Sequence, residues 1–414
     1  MNPLLQFEKD VLVEGREWTR QRWEGRLQAE VDRGGRLCPR SQQPLEKRKR
    51  QRLTLNTCAG KIMIRSWRGY SPAAKQWLHP ARERWGLKAR QQTSPELEAR
   101  PGFTATQTGA YQKAAVLACR WGTPVSDDLV HAVVQRLGGQ VPALALPTPA
   151  VPAQEPPFSL VIMMDGWMAR ERGPDWGASA RKKPADRVNW KEVKSAVIYR
   201  LEQRVEKDSG RGMLIDKYVV ACPPDTTPVD FGTAVHQEAL RRGSARARYV
   251  YVVMDGAVWL WDLSPDRFKD AILTLDFHHA STHLWVIAPI LHGDGTPEAK
   301  AWVEPLLHQL RHGQDAKVVR RLEELIPLGK GRKTKPQERL ATPVAYFQTH
   351  RDHIHYGQMA KRGAPIGSGS VESLCSQFQN RFKRTGQFWT RPGFSHLIAL
   401  DVLVRNQDYD YLWN

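Results

Sequence analysis

The stretch Tyr249–His279, YVYVVMDGAVWLWDLSPDRFKDAILTLDFHH, contains two strand-like apolar runs, and each run ends in an aspartate. The first run, Tyr249–Met254, is a continuous series of mostly β-branched and aromatic residues, the pattern of a strand buried on both faces. Asp255 follows it, and Asp276 follows the second run. A carboxylate at the end of a buried strand lies at the edge of a sheet, where a site can form. The stretch therefore predicts an acidic sheet edge.

A similar segment, Phe158–Gly166 (FSLVIMMDG), lies upstream and also ends in Met-Asp-Gly. If the two strands run parallel, Asp165 and Asp255 lie at the same edge of the sheet. Asp-Gly is also a common turn dipeptide, so a turn explains each aspartate taken alone. As a pair in a basic protein they are a candidate magnesium site, because Mg²⁺ prefers oxygen ligands and usually takes one or two carboxylates with substrate phosphate oxygens.

The charge balance points to a polyanionic partner. The chain has 62 Lys and Arg against 43 Asp and Glu, a formal charge of +19. Such an excess favours nucleic acid or an anionic membrane. The membrane is disfavoured, because no apolar run approaches the roughly 20 residues of a spanning helix and the N-terminus lacks the features of a signal peptide. The five cysteines are scattered and odd in number, which argues against a disulfide framework and for a reducing compartment.

The N-terminal region combines helices with a basic, strand-like segment. The periodicity predicts a helix over residues 3–32, either core or protein-binding, and strands over Arg52–Leu55 and Lys61–Trp67. Two further helices, Thr106–Arg120 and Ser126–Leu137, joined by a turn, fit a helix-turn-helix pattern. The densest basic run is a candidate for contact with DNA phosphates, with a solvated face as the alternative. Its candidate residues are Lys47, Arg48, Lys49, Arg50 and Arg52.

After a proline-rich linker at 141–157 the pattern becomes α/β. The predicted strands are Phe158–Met164, Val193–Tyr199, Tyr218–Ala221, Tyr249–Met254 and Ile272–Leu275, with a helix at Val229–Arg242 and a charged excursion at Asp165–Arg187. Four helices follow, at Ala280–Leu291, Pro297–Arg311, Ala316–Leu325 and Pro336–His350; then come a loop at Gly363–Gly369 and a helix at Ser370–Arg384. The regions are 1–140, 141–157, 158–276, a helical insertion at 277–363, and 364–414.

The last of these regions offers a third carboxylate. In Ala364–Glu372 (APIGSGSVE) a flexible loop precedes a helix that Ser370 can cap, so Glu372 lies in the first helical turn. Two metal ions in phosphodiester chemistry usually need such a third ligand. An acidic residue in the first turn also complements the helix dipole, and both interpretations stay open.

Four motifs together resemble the DDE transposases of bacterial insertion sequences, most closely the Kra-type group. They are MMDGW (Met163–Trp167), VMDGAVWLW (Val253–Trp261), LDFHHASTHLW (Leu275–Trp285) and PIGSGSVESLCSQFQNRFKRTGQFW (Pro365–Trp389). The resemblance implies an α/β fold: an RNase H-like catalytic domain with a helical insertion, preceded by a mixed basic N-terminal DNA-binding region. It assigns the catalytic, metal-binding roles to Asp165, Asp255 and Glu372.

The same resemblance implies the remaining roles. Asp276 and His279 match a D-x-x-H signature of mutator-like relatives and are expected to support the site. Arg381, Lys383 and Trp389 match basic and aromatic positions that bind DNA.

It also implies cofactors, partners and a location. They are two Mg²⁺ ions, which Mn²⁺ can replace, double-stranded DNA at element ends and target, a homodimer or larger synaptic assembly, and a cytoplasmic, nucleoid-associated bacterial protein. Family members often carry a zinc ribbon of paired CxxC knuckles. Only Cys38 remains recognisable here, so no zinc is expected.

Three alternatives compete with transposition. An RNase H-like nuclease would cut DNA without joining it, and a domesticated relative would bind DNA without catalysis. A doubly wound nucleotide-binding enzyme also has strands that end in Asp, but no G-x-G-x-x-G or G-x-x-x-x-G-K-[ST] loop follows the first strand.

Overall fold

The computed structural model describes residues 2–152, 155–177, 186–206, 212–326 and 335–413. The chain divides into two compact units, Met1–Leu137 and Gly138–Leu412, and Trp413 groups with the first. None of the helices in these ranges combines the length and the apolar composition needed to cross a bilayer.

The first unit contains a long helix, a small antiparallel sheet and four shorter helices. The elements are α1 (Pro3–Gly34), β1 (Glu46–Thr57), β2 (Gly60–Ser71), β3 (Gln76–Leu78), α2 (Pro80–Arg84), α3 (Pro95–Gln107), α4 (Tyr111–Arg120) and α5 (Asp127–Gly138). The strand order is β1-β2-β3. Alternation along the β1–β2 hairpin buries Leu53 and Leu55 with Ile62 and Ile64, and Val31 of α1 packs on them.

The helix predicted over residues 3–32 is confirmed as α1, but its first half is not core. Leu4, Phe7, Val11 and Trp18 are 65%, 66%, 49% and 62% exposed. Val31, near the C-terminal end, is the buried residue of the helix. An apolar stripe on a solvated helix stabilises nothing within the chain by itself, because burial is what makes apolar surface favourable.

The helix predicted over Thr106–Arg120 is confirmed over Tyr111–Arg120 and wrong near its start, where residues 108–110 interrupt it. α3 ends at Gln107 and α4 begins at Tyr111, with extended backbone at Thr108 and Ala110. Thr108 and Gly109 are poor helix formers, and together they interrupt the helix. The second predicted helix is confirmed as α5, and the hydroxyl of Ser126 accepts a hydrogen bond from the Leu129 N–H at 3.2 Å, as a cap does.

The second unit is built on a mixed five-stranded sheet. Its strands are β4 (Ser159–Arg172), β5 (Val188–Arg200), β8 (Tyr218–Ala221), β9 (Tyr249–Met254) and β10 (Ile272–Leu275), and β6 (Arg204–Glu206) and β7 (Gly212–Leu214) form a separate hairpin. The order is β10-β9-β4-β5-β8. β4, β9 and β10 are parallel neighbours, whereas β5 is antiparallel to both β4 and β8.

The prediction that the first strand ends before Asp165 is wrong. β4 continues to Arg172 and pairs with β5 as far as Arg172↔Val188. Trp167, Ala169 and Glu171 are buried on one face of this extension, and the charged residues between them hide the strand alternation in the sequence. Most of the predicted excursion Asp165–Arg187 is therefore strand or turn, and its residues 178–185 lie outside the described residues.

Helices cover the sheet and form a separate cluster after β10. They are α6 (Pro228–Arg241), α7 (Val258–Arg267), α8 (Phe277–His292), α9 (Pro297–Arg311), α10 (Asp315–Glu323), α11 (Lys335–Thr349), α12 (Tyr356–Lys361), α13 (Gly369–Phe382) and α14 (Arg391–Arg405). The predicted helical block is confirmed as α8–α11, which share one apolar core. α7, α12 and α14 were not predicted from the sequence, and α13, predicted over Ser370–Arg384, is not the last helix. The elements that the site needs are thus β4, β9, α8, α11 and α13.

The predicted linker has no regular secondary structure from Leu144 to Pro152, and its residues Ala153 and Gln154 lie outside the described residues. It is anchored to the second unit at two points. Arg241 donates to the Pro147 carbonyl at 3.0 Å, and Glu155 pairs with Arg200 at 2.6 Å.

Candidate active site

The register of β4 and β9 brings two aspartates to the same level. The parallel pairing runs from Ser159↔Tyr249 to Met164↔Met254. Asp165 and Asp255 are the next residue on each strand, where β9 ends and β4 continues. Neighbouring strands are about 4.8 Å apart, so two carboxylates start from adjacent backbone positions.

Asp165 is crowded by a second negative charge. Burial raises the pKa of its carboxyl, and the Asp255 charge raises it further, although hydrogen bonds from the Gly166 N–H and the Cys375 thiol lower it. The Gly166 bond is 2.7 Å long. The raised pKa reflects burial and the repulsion between the two carboxylates, and a bound cation would reduce that repulsion.

Asp255 is held by the chain that follows it. Its Oδ1 accepts from the Ala257 N–H at 2.9 Å, and its carbonyl accepts from Trp261 Nε1 at 2.7 Å. Gly256 is in close contact with Tyr346 of α11, since an added Cβ there would lie 2.1 Å from Tyr346 Cε2. Only a glycine lets the α11 ring approach this strand end so closely.

Asp276 joins β10 to α8 and is fully buried. It caps α8 by accepting at Oδ1 from the His279 N–H at 2.6 Å, and the same oxygen contacts His279 Nδ1 at 3.1 Å. Its Oδ2 accepts from the Ser368 N–H. Burial raises the pKa of Asp276, but the hydrogen bonds from His279 and Ser368 outweigh it and hold the pKa at about 2.

Glu372 reaches the same place from α13. Its Oε1 accepts from the Ser368 hydroxyl at 2.6 Å. Ser368 thus connects Asp276 to Glu372 through its N–H and its hydroxyl, and it is buried. The helix begins at Gly369, so the prediction that Ser370 caps it is wrong; Ser370 lies inside the first turn and bonds to Tyr199 instead.

One group of three side chains among the described residues brings potential metal-ligand atoms within 4.8 Å of one another: Asp276, His279 and Glu372. Glu372 therefore sits with the D-x-x-H pair. Asp165 and Asp255 lie near the group, because the charges of Asp255 and Glu372 both act on His279, and that of His279 on Asp165. The five predicted residues form one acidic neighbourhood with two parts. We call Asp165 and Asp255 the strand pair, and Asp276, His279 and Glu372 the helix trio.

His279 carries a positive charge at the centre of this neighbourhood. Its hydrogen bond to Asp276 raises the pKa of the imidazole to about 9, and Asp255 and Glu372 add to the effect. The side chain is 42% exposed. An imidazolium among four carboxylates compensates part of their repulsion and can donate a hydrogen bond to an anion.

Three contributing residues were not predicted from the sequence. Ser368 connects two acidic residues, Cys375 bonds to Asp165, and Tyr346 covers Gly256. The hydroxyl of Tyr346 is buried without a hydrogen-bond partner among the described residues, and its ring stacks on His283 at 3.7 Å. The Gly-Ser-Gly-Ser segment was a signal for Ser368, whereas nothing near Tyr346 in sequence indicates the site.

The residues predicted to bind DNA after Glu372 are partly packed inside. Arg381 is 8% exposed, and its guanidinium lies over the Phe382 ring at 5.0 Å. Trp389 donates to the Phe382 carbonyl at 2.7 Å and packs edge-on against Phe394. Lys383 is half-buried, with its ammonium 4.8 Å from the centre of the Trp190 ring. Trp190 is 52% exposed, so it is more accessible to solvent than Arg381 in this conformation.

The basic run of the first unit lies on β1, at the edge of its sheet. Lys47, Arg48 and Lys49 are exposed, and the register shifts between Glu46 and Lys49. Arg50 pairs with Asp32 at 2.7 Å, and Arg52 donates to Met63. A bulged edge strand with free basic side chains is suited to phosphate contact.

Comparisons with known proteins return distant likenesses. No family model and no curated protein matches the sequence. The chain is distantly similar to a solved structure titled "Drosophila P element transposase strand transfer complex", at 10% identity over 79% of this chain and 94% of that chain, with a TM-score of 0.36. A structure titled "Crystal structure of NurA" follows at 13% identity over 69% and 63%, with a TM-score of 0.10. At these TM-scores neither likeness bears on function.

Proposed function

We propose that the chain is a DDE transposase, which cuts DNA at the ends of a mobile element and joins them to a target. The observation that carries the proposal is the acidic neighbourhood at the shared level of β4 and β9. Asp165 and Asp255 leave adjacent parallel strands there, and Glu372 arrives on a helix that follows an all-helical block. The formal charge of +19 supports a DNA substrate.

The sheet supports an RNase H-like catalytic domain. The first three strands in the chain, β4, β5 and β8, form an antiparallel meander. The last two, β9 and β10, then add parallel to β4 on its other side, which gives the order β8-β5-β4-β9-β10. Asp165 is on the first of these strands and Asp255 ends the fourth. The Kra-type relationship, the bacterial origin and the nucleoid-associated location rest on the motifs alone.

The donor set fits a hard cation. Asp165, Asp255 and Glu372 would hold two Mg²⁺ or Mn²⁺ ions through carboxylate oxygens, the ligands that these ions prefer. Bound ions of this kind activate an attacking oxygen and stabilise the leaving one in phosphodiester chemistry. Asp276 and Ser368 would position Glu372, and the charged His279 would hold a phosphate oxygen of the substrate.

Paired assays on the full chain test the proposal. Asp165→Asn and Asp255→Asn should abolish Mg²⁺-dependent strand cleavage and leave binding to element ends intact, because the amides keep the shape and lose the ligand charge. Asp262→Asn is the matched control, since Asp262 is an exposed aspartate on α7, the helix that follows Asp255. Normal cleavage by either of the first two variants would contradict the metal assignment.

A strand-transfer assay with pre-cut ends separates the transposase from an RNase H-like nuclease. The transposase should join the 3′-hydroxyl ends to a target plasmid. Cleavage without joining would assign the nuclease function instead, and the absence of any Mg²⁺-dependent cleavage would favour a domesticated DNA-binding protein.

Two DNA ends must meet during transposition, so we propose a homodimer. The exposed stripe of Leu4, Phe7, Val11 and Trp18 on α1 supports self-association, because these positions recur every three, four or seven residues on one helix face. Leu4→Glu with Val11→Glu should convert the assembly to monomers in analytical ultracentrifugation. Glu8→Gln with Glu14→Gln, on exposed positions of the same helix, should not.

A further inference from the structure

A cavity in the second unit is lined by arginines and lies far from the acidic site. Its volume is about 200 Å³, well above the space that one water needs. Leu160 on β4 lines it and precedes Asp165 by five positions, roughly 17 Å along a strand. Its polar lining includes Arg200, Gln203, Tyr218, Arg241, Arg242 and Arg246.

The arginines of this cavity outnumber the carboxylates that form ion pairs with them. Among the described residues, its four arginines share three carboxylates. Glu155 forms ion pairs with Arg200 at 2.6 Å and with Arg246 at 3.1 Å. Glu238 and Asp408 are shared by Arg241 and Arg242. A fourth carboxylate in the lining, Asp216, accepts the Tyr218 hydroxyl at 2.8 Å.

Arg242 is the residue with unused hydrogen-bonding capacity. Its side chain is 9% exposed, and its guanidinium lies 3.1 Å from the centre of the Tyr218 ring. Its Nε donates to Glu238 at 2.7 Å. One terminal nitrogen of the guanidinium is buried with no hydrogen-bond partner among the described residues, and it lies 3.9 Å from a carboxylate oxygen of Asp408, beyond hydrogen-bond distance. A buried N–H donor without a partner costs about 1–3 kcal/mol.

Gln203 supplies the complementary group. Its Oε1 is also buried without a hydrogen-bond partner in the described part of the chain. Both residues line the cavity, so an unpartnered guanidinium nitrogen and an unpartnered carbonyl oxygen lie in its wall. An oxyanion satisfies the first, and a hydroxyl or amino group on the same molecule satisfies the second.

We infer that this cavity binds a phosphate monoester, with its phosphate on Arg242 and a neighbouring hydroxyl or amino group donating to Gln203. The planar guanidinium suits phosphate geometry. The phosphate competes with the Glu155 carboxylate for Arg200 and Arg246, because that carboxylate already occupies two of the four guanidinia. The monoester comes either from a free small molecule or from a phosphorylated 5′ end of DNA.

Equilibrium binding to the full chain tests the site. The probes are inorganic phosphate, thymidine 5′-monophosphate, and a short single-stranded oligonucleotide with either a 5′-phosphate or a 5′-hydroxyl. We expect saturable one-site binding of the nucleotide. Arg242→Gln should weaken it by about 10- to 100-fold, the range of one charge-assisted hydrogen bond. Arg248→Gln, on an exposed arginine outside the cavity, should leave it unchanged.

Glu155→Gln gives the opposite sign and guards against misfolding of the Arg242 variant. Removing that carboxylate frees Arg200 and Arg246, so nucleotide binding should strengthen, and thermal unfolding of each variant without ligand checks its fold. A preference for the 5′-phosphorylated over the 5′-hydroxyl oligonucleotide would identify a DNA end as the source. Equal binding of the two oligonucleotides, with the nucleotide bound, would identify a free small molecule. Absence of saturable binding by every phosphate-bearing probe, or unchanged binding in both Arg242→Gln and Glu155→Gln, would overturn the site.

Discussion

The two parts of the acidic neighbourhood are built differently. The strand pair, Asp165 and Asp255, is set by backbone register and makes short-range contacts, mostly with the residues that follow each aspartate. The helix trio is set by side-chain contacts between distant segments, since Ser368 and Asp276 are 92 positions apart. The difference suggests a division of roles: the strand pair leaves its carboxylates available to a ligand, and the helix trio uses some of its bonding capacity to hold the fold together.

The largest expected effect concerns Glu372, which belongs to the trio by contact and to the catalytic set by proposal. Glu372→Gln should reduce DNA cleavage by about 1,000-fold, because losing a metal ligand costs several kcal/mol of transition-state stabilisation. Stability should hardly change, since the amide oxygen still accepts from Ser368. Single-turnover cleavage in Mg²⁺ measures the effect. A loss of less than about tenfold would mean that Glu372 complements the helix dipole instead.

Asp276 should show the reverse behaviour. Asp276→Ala removes the cap of α8 and leaves the Ser368 N–H buried without a partner, which together cost about 3 kcal/mol of unfolding free energy. Asp255→Ala, its counterpart on the strand, should cost less than about 1 kcal/mol, because it loses one local bond. Urea denaturation of the metal-free protein compares the two. Equal losses would remove the distinction between the strand pair and the helix trio.

The strand pair could be predicted from the sequence, and the helix trio only partly. β8, β9 and β10 match their predicted bounds because each is a short apolar run between polar breaks. Asp165 was expected at a strand end and lies within β4 instead, since charged residues conceal the alternation after it. The two aspartates nevertheless lie side by side, because each directly follows six paired residues, Ser159–Met164 on β4 and Tyr249–Met254 on β9.

Misleading local composition and tertiary contacts explain what the sequence does not predict. α7 was missed for a local reason, because it carries Trp and Val, which favour strands, and an internal proline. Its contacts are local as well: Trp261 donates to the Asp255 carbonyl and Ser264 to the Leu260 carbonyl. The contact of Tyr346 with Gly256 joins segments 90 positions apart, and no local pattern encodes it. Glu372 and His279 were identified by resemblance, because an acidic first turn and a histidine after a strand are both common without function.

Acidification should lower the unfolding free energy through His350, which directly follows α11 and packs edge-on against Tyr346. Burial lowers the pKa of His350 to about 4, helped by His353 and His283, while the unfolded value is near 6.5. A depressed folded pKa means that the stabilisation is present above pH 6.5 and is lost as the pH falls towards 4. The difference corresponds to about 3 kcal/mol.

His350→Phe should remove this dependence, so the wild type should lose more unfolding free energy than the variant between pH 7 and pH 4. His292→Gln, on an exposed histidine, is the control. Urea denaturation at each pH gives the comparison, and parallel pH profiles for wild type and His350→Phe would contradict the assignment.

The smallest effect tests how the helical block is fitted to the strand end. Gly256→Ala places a Cβ 2.1 Å from Tyr346 Cε2, and the ring cannot move freely because it stacks on His283 at 3.7 Å. Overpacking of this kind costs about 2 kcal/mol. Combining Gly256→Ala with Tyr346→Leu should cost less than the sum of the two single changes, because the smaller side chain removes the clash. Additive losses would mean that Gly256 is a turn residue only and that the close approach of α11 has no energetic consequence at Asp255.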